Sequence, residues 1–273
     1  MTGTANGHVV GVIVSDITNP FYVDVARGVA AGVDGAGMLS VIGDCGDDAG
    51  RQFEIASALL AQGIKGLVIT TPHSEAALTL SIPVVAIDRP PGRVPYVAVD
   101  NILGGRLATQ HLLRCGYARV GILFGEPHLA PVADRIEGYR DALRRQGIDR
   151  DTTLEVDCGG LDYASAFAGA GRLLDANAQG IFAISDVMAS GALAAVVERR
   201  LDVPAQVGIV GYDDTPMAAW PTVNLTSVAQ GSFALGQEAA RMLLQRISRP
   251  GFAPESTILP PRLSVRGSTR PPA

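Results

Sequence analysis

Polar and aromatic side chains recur in this sequence directly after runs of apolar, β-rich residues. Asn19, Phe21 and Tyr22 follow the run 8–15, Asp88 and Arg89 follow 82–87, Ser185 and Asp186 follow 181–184, and Asp213 and Asp214 follow 207–211. If those runs are strands of an open α/β sheet, the side chains stand at the carboxyl edge, where such sheets bind ligands. Carboxylates and an arginine fork can hold adjacent hydroxyls in pairs, and aromatic faces can stack on the apolar face of a sugar ring. The chemistry such a set suits is the grip of a polyol. Each member also has a plainer reading. Asn19 before Pro20 is a helix cap with proline at the first helical position, and Asp88-Arg89 is a solvated turn pair. Asp213-Asp214 is a cap or a cation ligand, Arg135 a surface charge on an amphipathic helix, and Tyr163 a core residue.

Other chemistries lack their anchors. The turn after the first run reads Asp16-Ile-Thr-Asn-Pro-Phe-Tyr with no glycine before Gly28, so it lacks the closely spaced glycines that let backbone amides approach a dinucleotide pyrophosphate. Lys65 is the only lysine and follows no phosphate-binding loop. There is no G-x-S-x-G elbow or H-E-x-x-H helix, the four histidines are scattered, and Cys45, Cys115 and Cys158 lack the spacing of a zinc site or a disulfide framework. Reduced core thiols, no metal, no cofactor and no catalysis are expected. A formal net charge of −5 leaves no basic footprint for a nucleic-acid backbone.

The elements that must position these residues alternate regularly. Strands are expected at 8–15, 38–43, 66–70, 82–87 and 96–99, with helices from Asn19-Pro20 toward Gly37, at 51–61, and a short one at 74–80. A second series has helices at 102–115, 134–146, 163–174 and 189–200 and strands at 120–124, 153–156, 181–184 and 207–210. A strong helix at 233–247, with Leu235, Ala239, Met242 and Leu243 at helical spacing, precedes late strands at 256–259 and 262–265. The pattern is that of βαβ units on parallel sheets. The composition fits, with 47% hydrophobic and 18% charged residues and 32 glycines with 17 prolines for many tight turns. Residues 1–7 lack a secretory signal, and no apolar stretch reaches the ~18 residues of a membrane span. A cytoplasmic protein is expected, with 1–7 a flexible leader.

Six stretches, taken in order, resemble the LacI/GalR family of bacterial transcriptional regulators and the related periplasmic sugar-binding proteins. They are Val14-Ser-Asp-Ile-Thr-Asn-Pro-Phe-Tyr, Val84-Val-Ala-Ile-Asp-Arg, Val99-Asp-Asn-Ile-Leu-Gly-Gly, Ser185-Asp-Val-Met-Ala-Ser-Gly-Ala-Leu, Val210-Gly-Tyr-Asp-Asp-Thr and Leu259-Pro-Pro-Arg-Leu-Ser-Val-Arg-Gly-Ser-Thr. The Arg-Gly-Ser-Thr ending is closer to the regulators.

The resemblance implies an α/β fold of two similar lobes, each a parallel sheet flanked by helices, joined by three crossovers. It implies an N-terminal lobe of 8–99 plus 232–259 and a C-terminal lobe of 100–231 plus 260–273. A small effector, a sugar by family habit, would bind between the lobes. Asn19, Phe21, Tyr22, Asp88 and Arg89 would contact it from the first lobe, Arg135, Tyr163, Ser185 and Asp213 from the second, and Gln230 from a crossover. Many relatives carry Asn where this chain has Ser185, which removes an amide from that side of the site. A homodimer would pass the change in lobe orientation to paired DNA-binding heads, so operator DNA is a partner only through a helix-turn-helix headpiece that this sequence does not contain. Two rival readings stand beside this one: a sugar-binding protein of a transport system, with the same fold and ligand class, and a sugar-modifying enzyme using Asp88 and Asp213 as an acid/base pair.

Overall fold

The computed structural model describes residues 8–70, 75–90 and 94–272; the expected leader at 1–7 and the first residue of the expected helix at 74–80 lie outside them. The chain folds into two compact units, Met1–Val99 with Ser232–Leu259 and Asp100–Gly231 with Pro260–Ala273, and passes from one to the other three times.

In chain order the first unit begins with β1 (Val9–Val14), α1 (Pro20–Asp34), β2 (Leu39–Asp44), α2 (Ala49–Ala61), β3 (Leu67–Thr70), α3 (Glu75–Leu78), β4 (Val84–Ile87) and β5 (Tyr96–Val99). The second unit supplies α4 (Asn101–Arg114), β6 (Val120–Phe124), α5 (Ala130–Arg145), β7 (Glu155–Asp157), α6 (Tyr163–Asp175), β8 (Gly180–Ala183), α7 (Asp186–Glu198), β9 (Gly208–Asp213) and β10 (Thr226–Ala229). The chain then returns through α8 (Ser232–Ser248) and β11 (Thr257–Leu259) to the first unit, and ends with β12 (Arg262–Ser264) in the second.

The first unit's sheet runs β11-β5-β4-β3-β1-β2, with every described pairing parallel. Alternation along β1 shows how both faces are covered. Val10, Val12 and Val14 pack with Phe21, Val25 and Val29 of α1 and Leu235 and Ala239 of α8, whereas Ile13 packs with Ala56 of α2 and Leu78 of α3. A strand buried on both faces reads as a continuous apolar run, which is why period-2 polarity is absent there. α1 starts where the sequence expects it to: Asn19 accepts a hydrogen bond from the Phe21 amide at 3.0 Å, and Pro20 fills the first helical position, where no N–H is needed.

The second unit's sheet runs β12-β10-β9-β8-β6-β7, parallel except for β12 against β10. The observed α/β architecture, two mostly parallel six-stranded sheets flanked by helices, is the fold class the sequence implies. Two differences from expectation are informative. α5 begins at Ala130 rather than 134, because its N-cap, Leu129, forms no side-chain cap and Pro131 alone marks the start. β10 is an unforeseen strand: Thr226 and Ser227 are fully buried yet polar, and their hydroxyls donate to groups 40 residues or more away, at Arg266 and Asp186.

Candidate functional site

The second unit's carboxyl edge carries a connected polar frame. Asn101 opens α4 and is buried. Its Oδ1 accepts from the Arg135 Nε at 2.9 Å and from the Tyr212 hydroxyl at 3.0 Å. Arg135 also donates from Nη1 to the Ile184 carbonyl at 2.8 Å, and its guanidinium lies 3.9 Å from the Tyr212 ring centroid. The fork is therefore fixed at two of its nitrogens and stacked on one face, while Nη2 has no hydrogen-bond partner among the described residues. A preoriented guanidinium with a spare donor edge is suited to hydroxyl, carbonyl or carboxylate oxygens.

Two glycines make this frame possible. A Cβ on Gly104 would collide with the Tyr212 hydroxyl, and one on Gly105 with the Arg135 carbonyl. Their absence lets α4 and α5 touch backbone to backbone and brings Asn101 to Arg135.

Beside the frame, β9 ends in consecutive left-handed residues, Asp213 at φ 106° and Asp214 at φ 54°, a conformation that costs free energy for non-glycine residues and clusters at ligand sites. The two aspartates divide their roles. Asp214 pairs with Arg266 at 2.6 Å and accepts from Ser264 at 2.7 Å, tying the strand end to β12. Asp213 is buried and accepts from the Gln230 amide at 2.6 Å. Burial pushes the Asp213 carboxyl well above the usual carboxylate range, with the Arg135 charge opposing and Asp186 adding to the rise. Asp186 is itself fully buried in the first turn of α7. It accepts from the Thr215 amide and hydroxyl at 2.7 and 2.8 Å and from the Ser227 hydroxyl at 2.6 Å. Burial raises its carboxyl too, against the pull of those donors.

The remaining second-unit candidates are less connected. Ser185 is the N-cap of α7, its hydroxyl accepting from the Met188 amide at 3.2 Å. Tyr163 opens α6 with 48% of its surface exposed, not in the core. Sequence reasoning did not single out Asn101 or Tyr212, and it placed Asp186 among the polar residues after the apolar runs without carrying it into the contact set, although all three lie within the quoted motif stretches.

In the first unit, Asn19, Phe21 and Tyr22 follow β1. Asn19 caps α1, Phe21 is buried in the core, and Tyr22 meets it edge to face at 5.1 Å. Asp88 follows β4, half-buried and left-handed at φ 69°, with its amide donating to the Val97 carbonyl at 2.9 Å; Arg89 beside it is exposed. Only β3 separates β1 from β4, so the two strands end on one edge about 10 Å apart. Asp88 and Asp213, the pair weighed as an acid and a base, belong to different units. Among the described residues no group of three His, Cys, Asp or Glu is placed to hold a metal ion, and no helix is long and apolar enough to cross a membrane. Cys45, Cys115 and Cys158 are free thiols.

Comparison with known proteins gives a consistent picture. The periplasmic binding protein-like domain family matches residues 109–269. The ribose operon repressor of Escherichia coli K12 is 30% identical, over 96% of this chain and 82% of its own length. The HTH-type transcriptional regulator CelR of Thermobifida fusca is 33% identical, over 91% of this chain and 76% of its own. Among solved structures, a CelR–cellobiose complex superposes with a TM-score of 0.86 at 31% identity, covering 96% of this chain and 84% of the other. A LacI family regulator of Enterococcus faecium with bound ribose superposes with a TM-score of 0.88 at 30% identity, covering 97% of this chain and all of the other.

Proposed function

Since this chain belongs to the LacI family of transcriptional regulators, we propose that the effector it senses is a sugar, held by polar groups at the carboxyl edges of both sheets. The observation that carries this reading is the Arg135–Asn101–Tyr212 frame, with the Asp213–Gln230 pair beside it. Arg135 offers a fixed donor edge, and a carboxyl raised by burial donates as well as accepts, which matches the dual character of sugar hydroxyls. Asn19, Tyr22, Asp88 and Arg89 of the first unit and Tyr163 and Ser185 of the second complete the contact set, with Phe21 backing Tyr22. The names of the relatives support the ligand class: two solved regulators hold ribose and cellobiose.

The mechanism is a difference in effector affinity between two conformations, read out as operator occupancy, with no bond made or broken. A ligand favouring one state ~100-fold biases the equilibrium by about 2.7 kcal/mol, enough to switch DNA binding. Signalling of this kind runs through a cytoplasmic homodimer and a DNA-binding headpiece. The edge strand β2 and neighbouring α2 supply an apolar face suited to a second copy, with Leu39, Val41 and Phe53 all exposed.

Calorimetric titration with D-ribose, D-xylose, cellobiose and glucose tests the assignment, with mass spectrometry of the recovered sugar. Saturable binding of one sugar, returned unchanged, is the expected result. Turnover would replace the regulator reading with the enzyme, and no binding by any sugar would refute the ligand class.

A further inference from the structure

The second unit contains a cavity of about 440 Å³ lined by Arg140, Arg150 and Glu155 among others. Its cations are internally paired: both guanidiniums pair with Glu155, at 2.6 and 2.7 Å. The first unit contains a cavity of about 490 Å³ with the opposite character. Lys65 and Arg246 line it, together with Ser81, Ile82, Ile247 and Phe252, and no acidic side chain is among its described lining residues. Arg246 donates to the Val84 carbonyl, and neither cation has an ion-pair partner among the described residues. Partial burial of Arg246 without a counter-charge lowers its pKa from the usual arginine value, so an anion beside it would offset by charge the cost of burying the cation.

The cavity lies away from the effector candidates. Lys65 precedes β3, and Ile82 and Pro83 precede β4, so it sits at the amino edge of the first unit's sheet, whereas Asn19 and Asp88 lie at the carboxyl edge. Lysine's compact charge and arginine's fork can hold one phosphate or carboxylate jointly. Ile82, Ile247 and the exposed ring of Phe252 offer apolar surface for an attached hydrocarbon or aromatic body. The volume accommodates a small organic molecule.

We propose that this cavity is a second ligand site, separate from the effector site, for a small organic anion: a phosphate or carboxylate carried on a compact apolar body. Phenyl phosphate is the probe, titrated into the full chain by calorimetry and by amide chemical-shift mapping, with benzyl alcohol as the uncharged control. The site predicts saturable binding with shifts centred on Lys65 and Gly251, no saturation by benzyl alcohol, and about tenfold weaker binding in Lys65→Gln and in Arg246→Gln. Arg246→Gln also loses the bond to Val84; if that variant fails to fold, the exposed Lys65→Gln decides alone. Wild-type affinity in Lys65→Gln, equal binding of benzyl alcohol, absence of saturation, or shifts centred on Arg135 and Ser185 would each overturn the proposal. None of these outcomes touches the sugar titration above, which reports on the other edge of the sheet.

Discussion

The two units have similar sheets but dress their carboxyl edges differently. In the first, the hydrogen bonds described at Asp16 and Asn19 are local: Asp16 accepts from the amide and hydroxyl of Thr18, and Asn19 caps its own helix. In the second, side chains from α4, α5, α7, β9, β10 and the segment after β10 take part in bonds across long sequence separations, as in Tyr212 to Asn101 and Ser227 to Asp186. Local caps set where a helix starts. A long-range buried network sets the relative positions of whole elements and collapses as a unit when one member is removed. The second unit accordingly carries the preorganised part of the proposed contact set, and the first carries the part with local caps.

The comparison breaks most visibly at Asp186. Asp186→Ala leaves the Thr215 amide and hydroxyl and the Ser227 hydroxyl without their acceptor in a fully buried place, and should lower stability by about 3 kcal/mol. Urea denaturation measures this, and a loss below about 0.5 kcal/mol would mean the network is dispensable.

A pH series sharpens the point at Asp213. Its folded carboxyl titrates above the ordinary value of 3.8, so between that value and the folded one the native state holds a proton that the unfolded state has lost. Its contribution is present below pH 3.8 and is lost as pH rises toward the folded value. Asp213→Asn should gain stability relative to the wild type as pH rises from 4 to 8; parallel pH profiles would show that the carboxyl is not raised.

Gly105→Ala is expected to cost about 2 kcal/mol, because the added methyl must push α4 from α5 at the Arg135 carbonyl. Sugar binding should weaken with it, and thermal denaturation with titration separates the two effects. Asn19→Ala should have the smallest effect, about 1 kcal/mol, with faster hydrogen exchange confined to the first turn of α1. Faster exchange in α4 or α7 of this variant would contradict the local character assigned to Asn19.

Much of the scaffold was legible because buried parallel strands and amphipathic helices write their pattern into neighbouring residues. Val9–Val14, Leu67–Thr70 and Val84–Ile87 are apolar runs of strand length, and Asn19-Pro20 announces α1 through its own chemistry. The missed features depend on partners distant in sequence. β10 looks polar until Ser268 and Asp186 are seen to satisfy it. Asn101 reads as one residue of a helix start until Arg135 and Tyr212 converge on its oxygen. Gly104 and Gly105 look like weak points in a helix, and only the packing of α5 and Tyr212 shows why no larger residue fits. Conversely, Ser185 was singled out for a ligand and is found capping α7, a role it can hold while still facing the edge.

The most direct test of the account is Arg135→Lys, which keeps the charge but removes the fork that binds Asn101 and the Ile184 carbonyl together. Calorimetric titration with whichever sugar saturates the wild type, alongside a melting curve, should show affinity reduced about 10- to 100-fold in a folded protein. Wild-type affinity in a folded Arg135→Lys chain would contradict the claim that this guanidinium frame holds the effector.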